Sequence, residues 1–436
     1  MVLIINIAIL VVCVALFCLH VKMSGHNRLF LCALTVPFAF YIVNYPVRAL
    51  ILQSGIWIGE FTFDAYSTVI ALEYSFVFFL ILYVTYRQNC KFREKCTVTE
   101  VTRSEADEFL CNITFVISLI VFLYKVYNGK LFELYTEESE LYSTFGNNLI
   151  MMFGPLKWFA ISLSLLLWKC TANKFRLLQA FVIFSIILTE SLVSSAKGPL
   201  FSLLILYLFI MSAYGKRLNY YLVSISAVLI IVLSVFSYYI RYFGQVTGEF
   251  STDTLIKNYQ VASEISQSEY DLKTGLGHIA NRLNYLDALA LTIEKKDSIA
   301  TGYYPAGSVS ELLTILPRFV WEGRPLLNFN IFATREIWGY TDLISETPIG
   351  RIGESFLVFG FFGVIYAVFY GYVFALIEKL VLGMRTVHLA FYFFLLNYYV
   401  IPDSHIVFYW KTILFESLVL YFAILLYRQK NALRRI

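Results

Sequence analysis

The sequence predicts an all-α polytopic membrane protein, and three observations lead to that prediction. Of the 436 residues, 59% are hydrophobic and only 15% are charged. The mean hydropathy is +0.70. The apolar residues also form long unbroken runs. Because a helix needs roughly 20 apolar residues to cross the hydrocarbon layer, and backbone groups in lipid must be hydrogen-bonded internally, these runs predict membrane-spanning helices.

We predict about eleven transmembrane helices, with ten or twelve as alternatives. The alternatives arise because a tight turn at 197–199 separates the sixth span from the seventh, and because the tenth span is short. An odd number places the two termini on opposite sides of the membrane. The predicted spans lie at about 2–22, 29–48, 66–86, 109–128, 147–168, 177–195, 198–214, 218–241, 353–378, 387–401 and 410–427.

The chain is predicted to form one integrated membrane domain. Residues 1–241 hold helices 1 to 8, and 353–436 hold helices 9 to 11 with a basic tail. Between them, 242–352 form one large outward-facing helical loop. Its first part, 253–297, has helical spacing of apolar residues, and 298–350 is rich in glycine and proline, which predicts short helices and turns.

Lysine and arginine predict the orientation of the helices, because short loops that carry positive charge stay in the cytoplasm. With the N-terminus outside, the short outer loops hold only Arg48, Lys130 and Lys197, beside four glutamates. The long 242–352 loop then faces outward, and the net charge of +4 gives no reason to expect nucleic acid. The inner loops hold Lys22, Arg28, Arg87, Lys91, Arg93, Lys95, Arg103, Lys169, Lys174, Arg176, Lys216, Arg217, Lys379 and Arg385.

Familiar nucleotide and metal motifs are missing from the sequence. It has no Gly-x-x-x-x-Gly-Lys-Ser/Thr loop, no Gly-x-Gly-x-x-Gly fingerprint and no Asp-x-Asp pair. An outward-facing enzyme would also find no ATP. We therefore expect no cofactor and no metal, and a donor substrate that arrives already activated. A diphosphate leaving group on a membrane lipid meets that requirement.

Cationic side chains near the outer surface are the candidates for binding this diphosphate. Guanidinium groups stay charged at any accessible pH and offer two hydrogen bonds to phosphate oxygens. Arg241 also fits an interfacial arginine within a tyrosine belt. The predicted diphosphate-binding residues are Arg241, Arg282, Arg318, Arg324, Arg351 and Lys197.

Glu354 and His278 are the predicted catalytic residues. His278 precedes Arg282 by four residues on the same helical face, and an imidazole can take a proton from a sugar hydroxyl. The carboxylate of Glu354 is a candidate general base, although its expected place in the first turn of the ninth span also suits the helix dipole. Asp403 and His405 form a second acid/base candidate.

Ionisable groups inside spans cost roughly 2.5 to 3.5 kcal/mol each, so we expect them to have partners. Glu190 and Lys197 are seven residues apart and either pair with each other or leave Lys197 for an anionic substrate. For Glu73, near the middle of its helix, we expect a packing partner rather than a catalytic role. Close helix packing is predicted at Gly353, Gly360, Gly363 and Gly371.

In these features the sequence resembles the Wzy-type O-antigen and capsular polysaccharide polymerases, over about residues 190–370. Arg241 ends a span, as in that family, and Lys197 stands where arginine is frequent. The other matching motifs are Ser195-Ala196-Lys197-Gly198, Leu316-Pro317-Arg318-Phe319-Val320-Trp321 with Arg324-Pro325, and Gly353-Glu354 followed by Phe359-Gly360-Phe361-Phe362-Gly363.

The resemblance implies a glycosyltransferase-C-like bundle in the bacterial inner membrane, with the N-terminus periplasmic and the C-terminus cytoplasmic. It implies transfer of a growing glycan from undecaprenyl diphosphate to the terminal sugar of another lipid-linked repeat. The implied partners are the undecaprenyl-diphosphate-linked oligosaccharide, membrane lipid and a chain-length regulator protein. Two alternatives remain open, namely glycan transfer to lipid A core by an O-antigen ligase and a flippase for lipid-linked oligosaccharides.

Overall fold

The computed structural model of the chain describes most of the predicted spans and part of the outward loop. Within it, every assigned element is a helix or a helical turn, apart from one isolated bridge between Thr102 and Arg385. The described residues are 2–24, 26–53, 64–90, 101–128, 153–193, 198–216, 284–296, 333–339 and 349–399, with scattered residues in 221–233 and 417–424.

The helices follow the predicted spans closely. The α-helices are α1 (Val2–Ser24), α2 (Thr35–Ile42), α3 (Arg48–Gln53), α4 (Ala65–Asn89), α5 (Glu105–Tyr127), α6 (Leu156–Thr171), α7 (Lys174–Val193), α8 (Gly198–Ala213), α9 (Tyr285–Lys295), α10 (Gly350–Phe359), α11 (Ile365–Glu378) and α12 (Thr386–Tyr399). Short 3-10 helices lie at His26–Leu31, Gly360–Val364 and Lys379–Gly383, and π-helical turns at Val43–Val47 and Ala333–Ile337.

Six of the described helical segments are long and apolar enough to cross a membrane. They are α1, α2 with α3, α4, α5, α7, and α10 with α11, and shorter apolar helices occur in α8 and α12. The prediction of a polytopic helical membrane protein is therefore confirmed. The count of eleven spans and the glycosyltransferase-C-like arrangement remain predictions, because the eighth and eleventh predicted spans lie mostly outside the described residues.

A proline shapes the second span. Pro46 has no backbone N–H, so the ordinary helical hydrogen bond cannot form there, and the chain takes a wider π-helical turn at Val43–Val47. Asn6 of α1 donates to the Pro46 carbonyl oxygen at 3.1 Å. This contact fixes α1 against the turn. Because the turn is itself helical, α2 and α3 continue through it as one span, Thr35–Gln53.

The helices pack in two groups. In the first, α4 packs along α11, while α1, α2 and α9 surround α4. Gly371 of α11 allows this approach, because a Cβ atom there would lie 2.7 Å from the Leu82 carbonyl oxygen. The prediction of close helix packing is confirmed at this glycine. It is wrong at Gly353, where the atoms nearest to an added Cβ belong to Ile349 of the same segment.

The second group is centred on α6, which contacts α5, α7 and α12. Its core is aromatic as well as aliphatic. Trp158 of α6 lies 6.4 Å from Phe393 of α12, and the Phe393 ring lies 5.4 Å from Phe209 of α8, measured between ring centroids. The two groups are joined where the Tyr392 hydroxyl of α12 donates to the Leu31 carbonyl oxygen, shortly before α2, at 2.6 Å.

One end of the bundle is defined by a buried carboxylate. Glu378, the last residue of α11, accepts hydrogen bonds from the Ala33 backbone N–H at 3.0 Å and the Cys90 thiol at 3.0 Å, and from the Tyr86 hydroxyl. These contacts bring together the start of α2 and the ends of α4 and α11. We call this end the Glu378 face, and the opposite end the Arg48 face.

Other contacts place the remaining helix ends on the Glu378 face. Thr102, before α5, bridges Arg385, before α12, and the Cys170 thiol of α6 lies 3.6 Å from the Val101 carbonyl oxygen. Basic side chains therefore crowd this face. Those described are Lys22, Arg28, Arg87, Arg103, Lys169, Lys174, Arg176, Lys216, Lys379 and Arg385.

Candidate functional site

A buried ion pair attaches the predicted 242–352 loop to the bundle at the Arg48 face. Arg48, the first residue of α3, donates from Nε to Asp287 Oδ1 at 3.1 Å and from its second guanidinium nitrogen to Oδ2 at 2.6 Å. The two side chains are 1% and 4% exposed. Asp287 belongs to α9, within the predicted 242–352 loop. This part of the loop is therefore built into the membrane bundle.

Burial raises the pKa of the Asp287 carboxyl group, and the hydrogen bonds and charge of Arg48 work against that rise. A buried carboxylate is tolerated here because the guanidinium satisfies both of its oxygens. The pair fixes the direction of α9 and with it the position of the two residues before Asp287.

Tyr285, at the start of α9, packs directly on the start of α10. Its ring contacts Gly350, where an added Cβ would lie 2.4 Å from Tyr285 Cδ1. Gly350 also has a φ of +69°, a conformation that side-chain-bearing residues rarely adopt. On its other side the Tyr285 ring lies 5.4 Å from the ring of Phe40 in α2. Glycine at 350 therefore lets α9, α2 and α10 meet.

A cavity of about 70 Å³ opens where these helices meet. Eight of its thirteen lining residues are aromatic, contributed by α2, the π-helical turn, α4, α9 and α11. Among the described residues that line the cavity, Arg351 alone has a charged side chain. Ligand-binding cavities typically combine apolar and aromatic walls with a few placed polar groups. This cavity is therefore the candidate functional site.

Arg351 is held in the wall of the cavity by α10 and α11. It is 7% exposed, and its guanidinium carbon lies 5.3 Å from the ring centroid of Tyr370, a cation–π contact. Arg351 is the second residue of α10, so it lies at the end of the helix where the dipole favours negative charge. A buried cation at this position makes the local potential more positive and favours an anionic ligand.

Glu354 follows Arg351 by three residues, so the two are neighbours on the helix surface. It is half-buried. The expectation that it lies in the first turn of the ninth span is wrong, because α10 begins at Gly350 and has no acidic residue in its first turn. The dipole therefore explains Glu354 less well than expected, and its nearness to Arg351 keeps it a candidate base.

A second charged cluster lies at the Arg48 face among α5, α6 and α7. Glu190 accepts from Lys125 Nζ through Oε1 at 2.8 Å and from Lys157 Nζ through Oε2. The three side chains are 15%, 17% and 13% exposed, for Lys125, Lys157 and Glu190 in turn. Glu190 thus has two lysine partners from neighbouring helices. The predicted partner, Lys197, lies outside the described residues.

The environment of the Glu73 side chain differs from the predicted one. Among the described residues no packing partner covers Glu73, and its side chain is exposed on the surface of α4. Its neighbours one turn away along α4, Ile70 and Val77, are apolar. We assign Glu73 no role in the site.

Most of the predicted site residues lie outside the described residues. Arg351 and Glu354 lie together at the start of α10. The structure does not describe the other candidates, which are His278, Arg241, Arg282, Arg318, Arg324 and Lys197, together with Asp403 and His405. Their convergence on the cavity therefore remains a prediction.

The sequence analysis missed Asp287, Tyr285 and Lys125. Asp287 and Lys125 had a weak signal, because Arg48, the partner of Asp287, was a lone cation at a predicted outer end, and Lys125 closes a span; Tyr285 had none. The partners could not be inferred, since Arg48 and Asp287 are 239 residues apart and Lys125 and Glu190 are 65 apart.

Neither a metal site among the described residues nor similarity to known proteins identifies the protein. Within the described ranges, no three His, Cys, Asp or Glu side chains are grouped so that they could hold a metal ion. Compared with known protein families, curated proteins and solved structures, the chain matches none. The family resemblance therefore stays a prediction from the motifs.

Proposed function

We propose that this protein is a membrane enzyme that polymerises oligosaccharide repeats carried on polyprenyl diphosphate, and that Arg351 binds the diphosphate. One observation carries the proposal: a buried guanidinium in the first turn of α10 lines an aromatic cavity. The resemblance of the surrounding Gly353-Glu354 motif to Wzy-type polymerases supplies the reaction.

Charge supports a diphosphate as the ligand. The guanidinium of Arg351 and the positive end of the α10 dipole act in the same direction, so each strengthens the attraction of the other for an anion. Arginine can also hold two phosphate oxygens at once. No nucleotide motif is present in the sequence, so a lipid-borne diphosphate suits this site better than a nucleotide.

Side chains around Arg351 support a lipid or sugar next to the phosphate. Tyr285, Tyr45 and Phe374 come from three different elements, and all present rings to the cavity. Such walls suit the apolar start of a polyprenyl chain or the C–H faces of a sugar. A small soluble anion such as inorganic phosphate would leave these rings unused.

The distribution of positive charge supports an outward-facing site. The ten described basic residues on the Glu378 face match the pattern of cytoplasmic loops. On the Arg48 face, Arg48, Lys125 and Lys157 each contact a carboxylate, and Lys125 and Lys157 share that of Glu190. We therefore assign the Glu378 face to the cytoplasm and the Arg48 face to the periplasm of an inner-membrane protein, and we propose that the cavity opens toward the periplasm.

In the proposed reaction, Glu354 takes the proton from the acceptor sugar hydroxyl. The hydroxyl oxygen forms a bond to the anomeric carbon of the donor glycan, and the bond from that carbon to the diphosphate oxygen breaks. The lipid diphosphate leaves with the electron pair, and Arg351 stabilises its charge. Because Glu354 lies one turn from Arg351, a single helix, α10, would supply both the base and the residue that stabilises the leaving group.

The test is polymer formation by membranes that contain the full-length chain, supplied with lipid-linked repeats extracted from cells in which the chain occurs. Arg351→Ala is expected to abolish the ladder of repeat lengths at unchanged protein abundance. Arg351→Lys is expected to be strongly impaired, because a lysine cannot hold two oxygens in one plane. Arg385→Ala, an exposed arginine on the Glu378 face, is the matched control and should retain the ladder.

A normal ladder from Arg351→Ala would refute the proposed role of Arg351. Transfer of single glycans to lipid A core, without any ladder, would reassign the protein to the ligase type. Movement of lipid-linked repeats across vesicles without new glycosidic bonds would reassign it to the flippases. The same assay tests Arg241→Ala and Arg318→Ala, each of which we expect to abolish polymer formation.

A further inference from the structure

The cluster of Lys125, Lys157 and Glu190 carries more positive charge than its structure requires. One carboxylate holds both ammonium groups, one on each oxygen, and the side chains are largely buried. Among the described residues, the cluster therefore has a formal net charge of +1 at the Arg48 face. A structural ion pair would need only one lysine.

The helix dipoles add to the imbalance. Lys157 is the second residue of α6, where the dipole already supplies positive charge, and Glu190 lies in the last turn of α7, where the dipole is negative. Both residues thus occupy ends that their own helices disfavour. Only Lys125, in the last turn of α5, has a favourable position. The excess positive charge is concentrated near the start of α6.

This cluster is separate from the aromatic cavity. It is formed by α5, α6 and α7 of the second helix group, whereas the cavity is lined by elements of the first group. The lysine cluster lies at the Arg48 face, whereas the cavity reaches deeper into the bundle, since Leu82 and Phe374 in its lining are each one helical turn from Tyr86 and Glu378. The bundle therefore holds two separate cationic positions, one in each group of helices.

We propose that Lys125 and Lys157 form a second anion-binding site, which takes the phosphate group of a lipid headgroup in place of the Glu190 carboxylate. The proposal rests on the proposed function in one respect: polymerisation needs two lipid-linked substrates, and this site would hold the second. The spacing suits the ligand, because ammonium groups already set apart by one carboxyl group can contact two oxygens of one phosphate group.

Glu190 has a specific part in this proposal. It occupies the lysines when the lipid is absent and must release them when a phosphate binds. Lysine suits such an exchange, because its ammonium group is a compact point charge on a flexible stem and carries three rotatable donors. Removal of the carboxylate should therefore strengthen anion binding. A purely structural cluster would instead be weakened by the same change.

The experiment counts lipids bound to the detergent-solubilised full chain by native mass spectrometry, with undecaprenyl diphosphate as the probe. We expect two bound molecules. Lys125→Gln and Lys157→Gln should each weaken one of them about tenfold, the effect of losing one charged hydrogen bond. Glu190→Gln, which keeps the side-chain shape, should bind that molecule severalfold more tightly. Arg103→Gln, from an exposed pair on the Glu378 face, should change nothing.

Weaker binding in Glu190→Gln, or wild-type binding in the Lys125→Gln/Lys157→Gln double variant, would overturn the inference. Arg351→Gln separates it from the proposed function. If that variant keeps two bound molecules, the role of Arg351 fails while the lysine site stands. If the double lysine variant keeps two and Arg351→Gln keeps one, the lysine site fails and the proposed function stands.

A second probe identifies the source of the phosphate. Phosphatidylglycerol carries one phosphate on an ordinary membrane lipid. A lysine-dependent site that prefers undecaprenyl diphosphate supports the role as second substrate site. A site that binds both probes equally, still dependent on Lys125 and Lys157, supports the anion site and overturns that role.

Discussion

Arg48 and Asp287, which lie 239 residues apart in the chain, form a two-point ion pair that is almost completely buried. This pair joins the second predicted span to helix α9 of the 242–352 loop. Removal of one partner leaves an uncompensated buried charge, which typically costs about 3 to 5 kcal/mol. We therefore expect Asp287→Asn and Arg48→Met to lower the melting temperature of the purified protein and to expose α9 to protease.

The double variant Arg48→Met/Asp287→Leu is expected to be more stable than either single variant, because it removes both buried charges. The exposed pair Arg103–Glu108 provides the control, since such pairs contribute roughly 0 to 1 kcal/mol. Additive losses in the double variant would show that the two residues act independently, contrary to the geometry.

Gly350→Ala tests the contact between α9 and α10. An added methyl group would meet the Tyr285 ring, and the φ of +69° is unfavourable for alanine. We expect a loss of stability of about 1 kcal/mol or more from the backbone alone, with displacement of Tyr285 from the cavity wall. Thermal unfolding and tyrosine accessibility to iodination would measure the two effects.

Gly198→Ala is the matched glycine control. Gly198 opens α8, and an added Cβ would meet no atom of the described residues within 4 Å. Alanine should leave stability unchanged or raise it slightly, because it restricts the unfolded chain. Equal effects at the two positions would contradict the close approach of Tyr285 to Gly350.

Orientation can be tested on one helix, because α5 has an exposed residue close to each end. Tyr127 is 90% exposed at its last position, and the Arg103 side chain is 52% exposed just before its start. With the native cysteines replaced, Tyr127→Cys should react with an impermeant maleimide in spheroplasts. Arg103→Cys should react only after permeabilisation. The reverse pattern would place the cavity in the cytoplasm.

Much of the fold could be predicted from the sequence, because lipid leaves few options for an apolar run. The spans predicted at 66–86 and 387–401 correspond to α4 at Ala65–Asn89 and α12 at Thr386–Tyr399. Some observed helix boundaries differ from the predicted ones for local structural reasons. The second span extends to Gln53 because a π-helical turn accommodates Pro46, and α10 begins at Gly350.

The site was harder to predict, because its contacts join distant parts of the chain. Helix periodicity relates Arg351 to Glu354, because the two are only three residues apart. Periodicity says nothing about Arg48 and Asp287. It also suggested Lys197, which lies outside the described residues, as one possible partner of Glu190. It gave no sign of Lys125 and Lys157, which packing brings to Glu190 from other helices. Pairing across helices depends on packing that the sequence does not display.

The central claim is that the Arg351 guanidinium binds a polyprenyl diphosphate in the aromatic cavity. The most direct measurement is a cryo-EM map of the full-length protein in nanodiscs saturated with undecaprenyl diphosphate. The account predicts diphosphate density within about 3 Å of the Arg351 guanidinium nitrogens, the distance of a charged hydrogen bond. Ordered diphosphate elsewhere on the protein, with Arg351 and the Tyr285 ring unchanged and the cavity empty of lipid, would contradict it.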